Sequence, residues 1–160
     1  MNRIHKYSLL MKWTGNKGNG TSGYRDYERS HIIMADDKQD IHCSSDPVFR
    51  GDKTKYSPED LFVGAVSGCH MLWYLHLCAE SGVIVLDYRD NPVGILKEAA
   101  DGSGYFTEVT LNPVITVADK SMLSKANELH KKANELCFIA NSCKFKIKHH
   151  PVCKSKENND

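Results

Sequence analysis

The stretch YSPEDLFVGAVSGCHMLWYLHLCAESG, residues 56–82, constrains this chain more than any other. Its nineteen consecutive residues from Leu61 to Ala79 contain no Asp, Glu, Lys or Arg, in a chain that is 26% charged. Start and stop signals delimit a helix. Ser57 suits the N-cap, Pro58 the first helical position, Asp60 a capping-box partner and Gly82 the end. About 24 residues at 1.5 Å each would span roughly 36 Å, enough to cross a bilayer. Against a membrane span stand His70, His76, Ser67 and two glycines within the window, the lack of a second such segment and the lack of a polybasic flank. The segment is expected to be a core helix. Because it is apolar on every side, a chain of this length would need a second subunit to cover it.

The rest of the composition removes several function classes. With 21 basic and 20 acidic residues, formal net charge +1, the chain shows neither a nucleic-acid footprint nor an acidic partner's complement. The N-terminal MNRIHKYSLLMKW has no long apolar run and no small-residue cleavage site, so a cytoplasmic protein is expected. Six cysteines, at 43, 69, 78, 137, 143 and 153, are too few and too irregular for a secreted disulfide scaffold. In a reducing compartment each is a thiol.

Turn and periodicity signals predict an α+β domain over residues 1–153, followed by a polar tail, 154–160, expected to be disordered. RIHKYSLLMKWTG and YERSHIIMADD read as antiparallel strands joined by the glycine-rich NKGNGTSGYRD, with a short third strand in QDIHCSS. After the apolar helix, VIVLDYRDN, VGILKEAAD and YFTEVTLNPVITV read as three strands, the last two joined by the hairpin turn DGSG. From Asp119 to about Ala140, apolar residues at Leu123, Ala126, Leu129, Ala133 and Leu136 predict an amphipathic helix. CKFKIKHH alternates like a final strand.

Helical geometry separates the two cysteines of the apolar helix. Nine residues at about 100° place Cys78 opposite Cys69, so they cannot pair in one straight helix. Cys78 reads as a small buried hydrophobe; Cys69 shares its face with Phe62, Ala65, Val66, Leu72, Trp73 and His76. Packing is also the simple reading of Cys69. Reactivity would need a cation to stabilise the thiolate, because apolar surroundings disfavour it. Arg25 and Arg50, on loop-like segments, are candidates, with Arg29 the weaker one. Glu59 could hold such an arginine, but it lies about 15 Å along the axis from Cys69 of the same helix, so that arrangement calls for a symmetry mate. Cys137, on the core stripe of the second helix, could meet Cys69 or simply pack. The C-terminal Cys137, Cys143, His149, His150 and Cys153 lack the paired knuckle spacing of structural zinc, and no metal or other cofactor is expected. A mid-helix cysteine without an oxyanion turn also suits a Cys–His hydrolase poorly.

Three segments in order carry a family resemblance. YSPEDLFVGAVSGCHM resembles the start of the OsmC/Ohr central helix, where the reactive cysteine follows a Pro-Glu pair by ten residues. LHKKANELCFIANS resembles the family's resolving-cysteine helix, and WTGNKGNGTSGYRDYERSH its N-terminal hairpin. The resemblance runs over roughly residues 5–150. It implies an OsmC-like fold, with antiparallel sheets around a long buried central helix in an intertwined homodimer, and thiol-dependent reduction of organic hydroperoxides. By the same matching, Cys69 would be the peroxidatic and Cys137 the resolving cysteine, and Glu59 would orient Arg25, with Arg50 in reserve. A Cys69–Cys137 disulfide and an external, lipoyl-type dithiol reductant are implied, and Phe62, Val66, Leu72 and Trp73 would receive the hydrocarbon end of the substrate. His70 and Phe138 stand where Ohr-type members carry Phe and Pro, which implies an OsmC-like side branch. The alternative from another class is a noncatalytic module of this fold that binds a small apolar ligand at the dimer interface.

Overall fold

The apolar stretch forms one helix, α1 (Pro58–Glu80), in a computed structural model that describes residues 3–156. Both ends are set by the expected local chemistry. At the start, Asp60 Oδ2 accepts the Ser57 N–H at 2.9 Å while Ser57 Oγ accepts the Asp60 N–H at 3.1 Å, a reciprocal capping box. At the end, Gly82 takes a left-handed φ of 71°, and the Val83 N–H reaches back to the Cys78 carbonyl at 2.9 Å.

The chain forms two compact units, residues 1–62 and 63–160. In the first, β1 (Leu10–Trp13), β2 (His31–Met34) and β3 (Ile41–Cys43) make an antiparallel sheet in that order. The glycine-rich connection is organised by Asn16, whose Oδ1 accepts the N–H groups of Gly18 and Gly20. Gly15 lies so close to the Glu28 carbonyl that a Cβ would sit 1.9 Å from its oxygen. That contact fixes the connection against the Glu28 backbone, whose N–H donates to the Gly15 carbonyl at 2.8 Å, and only glycine fits it.

The second unit holds most of α1 with β4 (Val85–Arg89), β5 (Val93–Glu98), β6 (Gly104–Leu111), β7 (Val114–Val117), α2 (Leu123–Leu136), α3 (Phe138–Asn141), β8 (Lys148–His149) and β9 (Val152–Ser155). These strands form two three-stranded sheets, β5-β6-β8 and β4-β7-β9. The DGSG hairpin is present: Asp101 Oδ1 accepts from the Ser103 backbone and hydroxyl, and Gly102 is left-handed.

Three expectations need correction. YFTEVTLNPVITV is not one strand. Pro113 has no N–H to give a ladder, and Asn112 donates its own to Asp90 Oδ1, so the chain leaves β6 there and joins a different sheet as β7. CKFKIKHH is strand only at Lys148–His149, and β9 takes Lys154 and Ser155 from the expected tail, parallel to β7. The second helix also stops at Leu136, because Cys137 is extended (φ −67°, ψ 110°). Residues 157–160 of that tail lie outside the described residues.

The core of the second unit gathers Tyr74 and Cys78 of α1, Val83, Ile115 and Val117 of β7, and Ala126, Leu129 and Ala133 of α2. Cys78 is packing, as its helical position implies. From α1 the buried residues are Val66, His70, Tyr74 and Cys78, one stripe at four-residue spacing. A polar pair lies within it. His70 Nε2 meets His130 Nδ1 at 3.1 Å, the Tyr74 ring stacks on His130 at 3.9 Å, and the His149 ring lies 5.7 Å from His70. Burial, then the neighbouring His149, pushes His70 down to about 4; burial, then His70 and His149, pushes His130 down to about 3. Both rings are neutral at pH 7.

The unfolded chain, with ordinary histidine values near 6.5, therefore takes up these protons first as pH falls. Stability is full above about pH 6.5 and declines as pH falls towards the folded values. Urea unfolding at pH 5 should give a free energy below that at pH 7.5 by roughly 2 kcal/mol for each buried ring. Replacing His130 by Leu should flatten the slope, whereas equal stability of the wild type at both pH values would show that the pair is not held neutral.

Candidate functional site

Cys69 sits mid-way along α1, off the buried stripe and half-buried. Its depth and rotation are fixed by neighbours on the same helix. Two residues before it, Ser67 Oγ donates to Asp90 Oδ2 at 2.6 Å, and the other oxygen of Asp90 accepts the Asn112 N–H. At Gly94 of β5 an added Cβ would lie 2.6 Å from Val63 Cγ2, so glycine lets the strand approach the helix closely.

Cys137 occupies the break between α2 and α3. Its extended backbone ends one helix, and its sulfur caps the next by accepting the Ala140 N–H at 3.4 Å. The Cys137 side chain is fully buried, and its thiol interacts with that of Cys69. Burial pushes its thiol up to about 11, the Cys69 contact acts in the same direction, and the Ala140 N–H opposes them. At neutral pH Cys137 is a protonated thiol beside a more accessible one. The two cysteines come together within a single chain, and both are free thiols.

Of the four apolar residues expected around Cys69, Leu72 is 65% exposed and Trp73 packs edge-on against both Phe138 and His76. Leu72, Trp73 and His76 line an open hollow of ≈ 320 Å³. Val66 is different. It lies about 40° from His70 around the helix, shares the buried stripe, and has no exposed surface, so it packs the core and lines nothing. Phe62 is half-buried and belongs to the first unit.

The charged candidates also belong to the first unit. Arg25 and Arg50 line one cleft of ≈ 330 Å³, and their guanidinium groups make no hydrogen bond or ion pair among the described residues. Arg29 precedes β2 in the connection rather than lying on the strand. It is locked by the Tyr27 and Tyr24 carbonyls, both at 2.7 Å, and by the two tyrosine rings. Glu59 stands in the first turn of α1; its Oε2 is buried without a hydrogen-bond partner, and it makes no ion pair within the described residues.

Sequence reasoning did not anticipate the His70–His130 pair. The signal was present: His130 falls on the apolar stripe of α2, and His70 is one four-residue step from both Val66 and Tyr74. Among the described residues, no three His, Cys, Asp or Glu side chains converge as a metal-binding set.

Residues 51–150, more than half the chain, match the family described as OsmC-like protein. The fold is similar to that of an OsmC-like protein of unknown function from Vibrio cholerae, with 29% identity and a TM-score of 0.83, covering 93% of this chain and all of that one. It is also similar to an organic hydroperoxide resistance protein from Elizabethkingia anophelis (16% identity, TM-score 0.66, 96% and 100% coverage). A Bacillus subtilis organic hydroperoxide resistance protein is similar as well (19%, 0.57, 92% and 98%). At those two identities the likeness is one of fold. No curated protein sequence matches the chain.

The geometry predicts an order of thiol reactivity. With limiting iodoacetamide at pH 7, Cys69 should be alkylated before the buried Cys137 and Cys78, and one equivalent of diamide should link Cys69 to Cys137 within one chain. Peptide mapping that found Cys78 labelled first, or Cys69 linked elsewhere, would contradict the arrangement.

Proposed function

Because the chain belongs to the OsmC-like protein family, we propose that it is a cytoplasmic, homodimeric thiol peroxidase that reduces organic hydroperoxides to alcohols. The observation that carries this reading is that half-buried Cys69 and buried Cys137 are neighbours whose thiols interact within one chain. Two neighbouring thiols, one accessible and one held protonated, form the minimal pair for a peroxidatic and a resolving cysteine.

The chemistry then runs in three steps. The Cys69 thiolate attacks the distal oxygen of the hydroperoxide, the O–O bond breaks, the hydroxyl passes to sulfur to give a sulfenic acid, and the departing alkoxide takes a proton from water to become the alcohol. The Cys137 sulfur attacks the Cys69 sulfur, its proton leaves with the sulfenic hydroxyl as water, and a disulfide forms. An external dithiol, which a lipoyl-type group would satisfy, exchanges with that disulfide, returns both thiols and becomes a disulfide itself. Cys137 keeps its proton until the sulfenic acid has formed, so it does not compete as the first nucleophile.

Arg25, with Arg50 in reserve, supplies the cation that an apolar helix lacks, and Glu59 holds it. Each of these groups lacks a partner within the described residues, which supports their pairing across a dimer in which one copy's Glu59 serves the other's Cys69. The exposed apolar face of α1, including Leu72, also supports a second copy. Leu72 and Trp73, beside the open hollow, would receive the substrate's hydrocarbon end, with Phe62 at the helix start.

Replacing Cys69 by Ser should abolish dithiol-dependent reduction of cumene hydroperoxide; wild-type turnover in that variant would sink the reading and favour a binding module. Cys137→Ser should consume about one peroxide per subunit and then stall. Arg25→Gln and Glu59→Gln should each lower kcat/KM on the order of 100-fold. Sedimentation of the reduced protein should give a mass near twice 18.0 kDa.

A further inference from the structure

The cleft that Arg25 and Arg50 share in the first unit has a charge balance the peroxidase reading does not use. Besides these two it is lined by Arg29, Lys17, Glu28 and Asp52. Each carboxylate already has a lysine: Lys17 lies 3.6 Å from Glu28, and Lys55 lies 3.3 Å from Asp52. Arg29 is spent on two backbone carbonyls and two tyrosine rings, which orient it without neutralising it. Within one chain, three guanidinium charges therefore face one cleft, and the carboxylates that line it are already paired with lysines among the described residues.

The floor adds donors. Ser30 and Ser44 also line the cleft and are 8% and 1% exposed. Ser30 Oγ accepts from Lys55 Nζ at 2.9 Å and Ser44 Oγ accepts the Asp52 N–H at 3.0 Å, so each hydroxyl keeps its own proton to donate. A buried hydroxyl with an undonated proton has a cost that a ligand oxygen would remove.

The backbone is also shaped to present Arg50. It caps a 3-10 turn (Pro47–Phe49) in the left-handed region, φ 65° and ψ 28°, a conformation that disfavours a residue with a Cβ. Gly51 follows where a Cβ would lie 1.5 Å from the Ser45 carbonyl oxygen, so the turn closes only with glycine there. An arginine rather than a glycine or asparagine stands at the strained position, and it lines the cleft.

We propose that this cleft binds a small oxyanion, a carboxylate or a phosphate, gripped by Arg25 and Arg50 with Arg29 beside them and met by the Ser30 and Ser44 hydroxyls. Guanidinium forks match the paired oxygens of both groups. A cleft of ≈ 330 Å³ admits such a group with a short organic remainder and excludes a macromolecule. The proposal shares Arg25 and Arg50 with the peroxidase reading, but its readout is anion binding without peroxide or dithiol, so its failure is distinguishable from a loss of peroxidase turnover.

The test is calorimetric titration of the reduced full-length protein with inorganic phosphate and, separately, with acetate, ionic strength being held constant with chloride. At least one should bind saturably at one site per chain. Arg50→Gln and Arg25→Gln should each weaken that binding at least tenfold, while Lys144→Gln, an exposed lysine of the second unit, should leave it unchanged. Tighter binding of phosphate would identify a phosphate ester as the ligand class, and tighter binding of acetate a carboxylate. Failure of both anions to saturate, or equal affinity in the wild type and both arginine variants, would overturn the proposal. The circular dichroism of each variant shows that it is folded.

Discussion

A helix can bury only one stripe against the chain that carries it, and α1 is apolar on every side. That constraint organises the second unit. Val66, His70, Tyr74 and Cys78 take the inward stripe, with Tyr74 and Cys78 packed among residues of β7 and α2, while Trp73, Leu75 and Leu77 are only partly buried at its flanks and Leu72 is left exposed. By length and composition the helix could cross a bilayer. Its inward stripe instead carries a histidine bonded to another histidine, and Ser67 donates to Asp90, a pattern of polar contacts that belongs to a helix packed on a sheet. Cys69 owes its half-exposure to the same division, being near the edge between the stripe that is filled and the surface that is not.

That position matters because two adjacent thiols are useful only if they differ. Cys137 is buried by the break between α2 and α3 and kept protonated, while Cys69 stays accessible. Had α2 continued through residue 137, the sulfur would have lost the Ala140 N–H that orients it. The break therefore does more than end a helix: it turns a stripe residue into a cap whose side chain points to α1. The arginines proposed to supply positive charge to that chemistry, Arg25 and Arg50, belong to the first unit.

What the sequence revealed, and what it hid, follows from the range of the interactions involved. Ser57, Pro58, Asp60 and Gly82 act on their own helix ends, so α1 was legible to its last turn. Asn16 with its glycines and the DGSG turn are equally local. The parallel pairings of β8 with β6 and β9 with β7 join residues far apart in the chain, and no alternation within CKFKIKHH or VCKS could announce them. The strand break at Asn112–Pro113 was visible as a breaker pair and was overridden by the apolar run on both sides. That Cys69 and Cys137 would be neighbours was legible from helical position and family resemblance. The misplacement of Val66 came from treating a face as a half-circle, when the filled stripe is narrower and follows the four-residue step through His70.

The His70–His130 pair is the least economical part of this core. An apolar pair of similar volume would pack without an orphaned ring nitrogen, and His70 Nδ1 is buried without a partner. What the histidines provide is direction. A ring pair joined at 3.1 Å and stacked on Tyr74 fixes the rotation of α1 against α2 more tightly than leucines could, because a hydrogen bond fails with an ångström of slip and a hydrophobic contact does not. Cys69 adjoins His70, and Cys137 lies seven residues, about two turns, beyond His130. The bond that sets the rotation of the two helices also sets the approach of the two sulfurs, so the buried pair and the thiol pair are parts of one alignment.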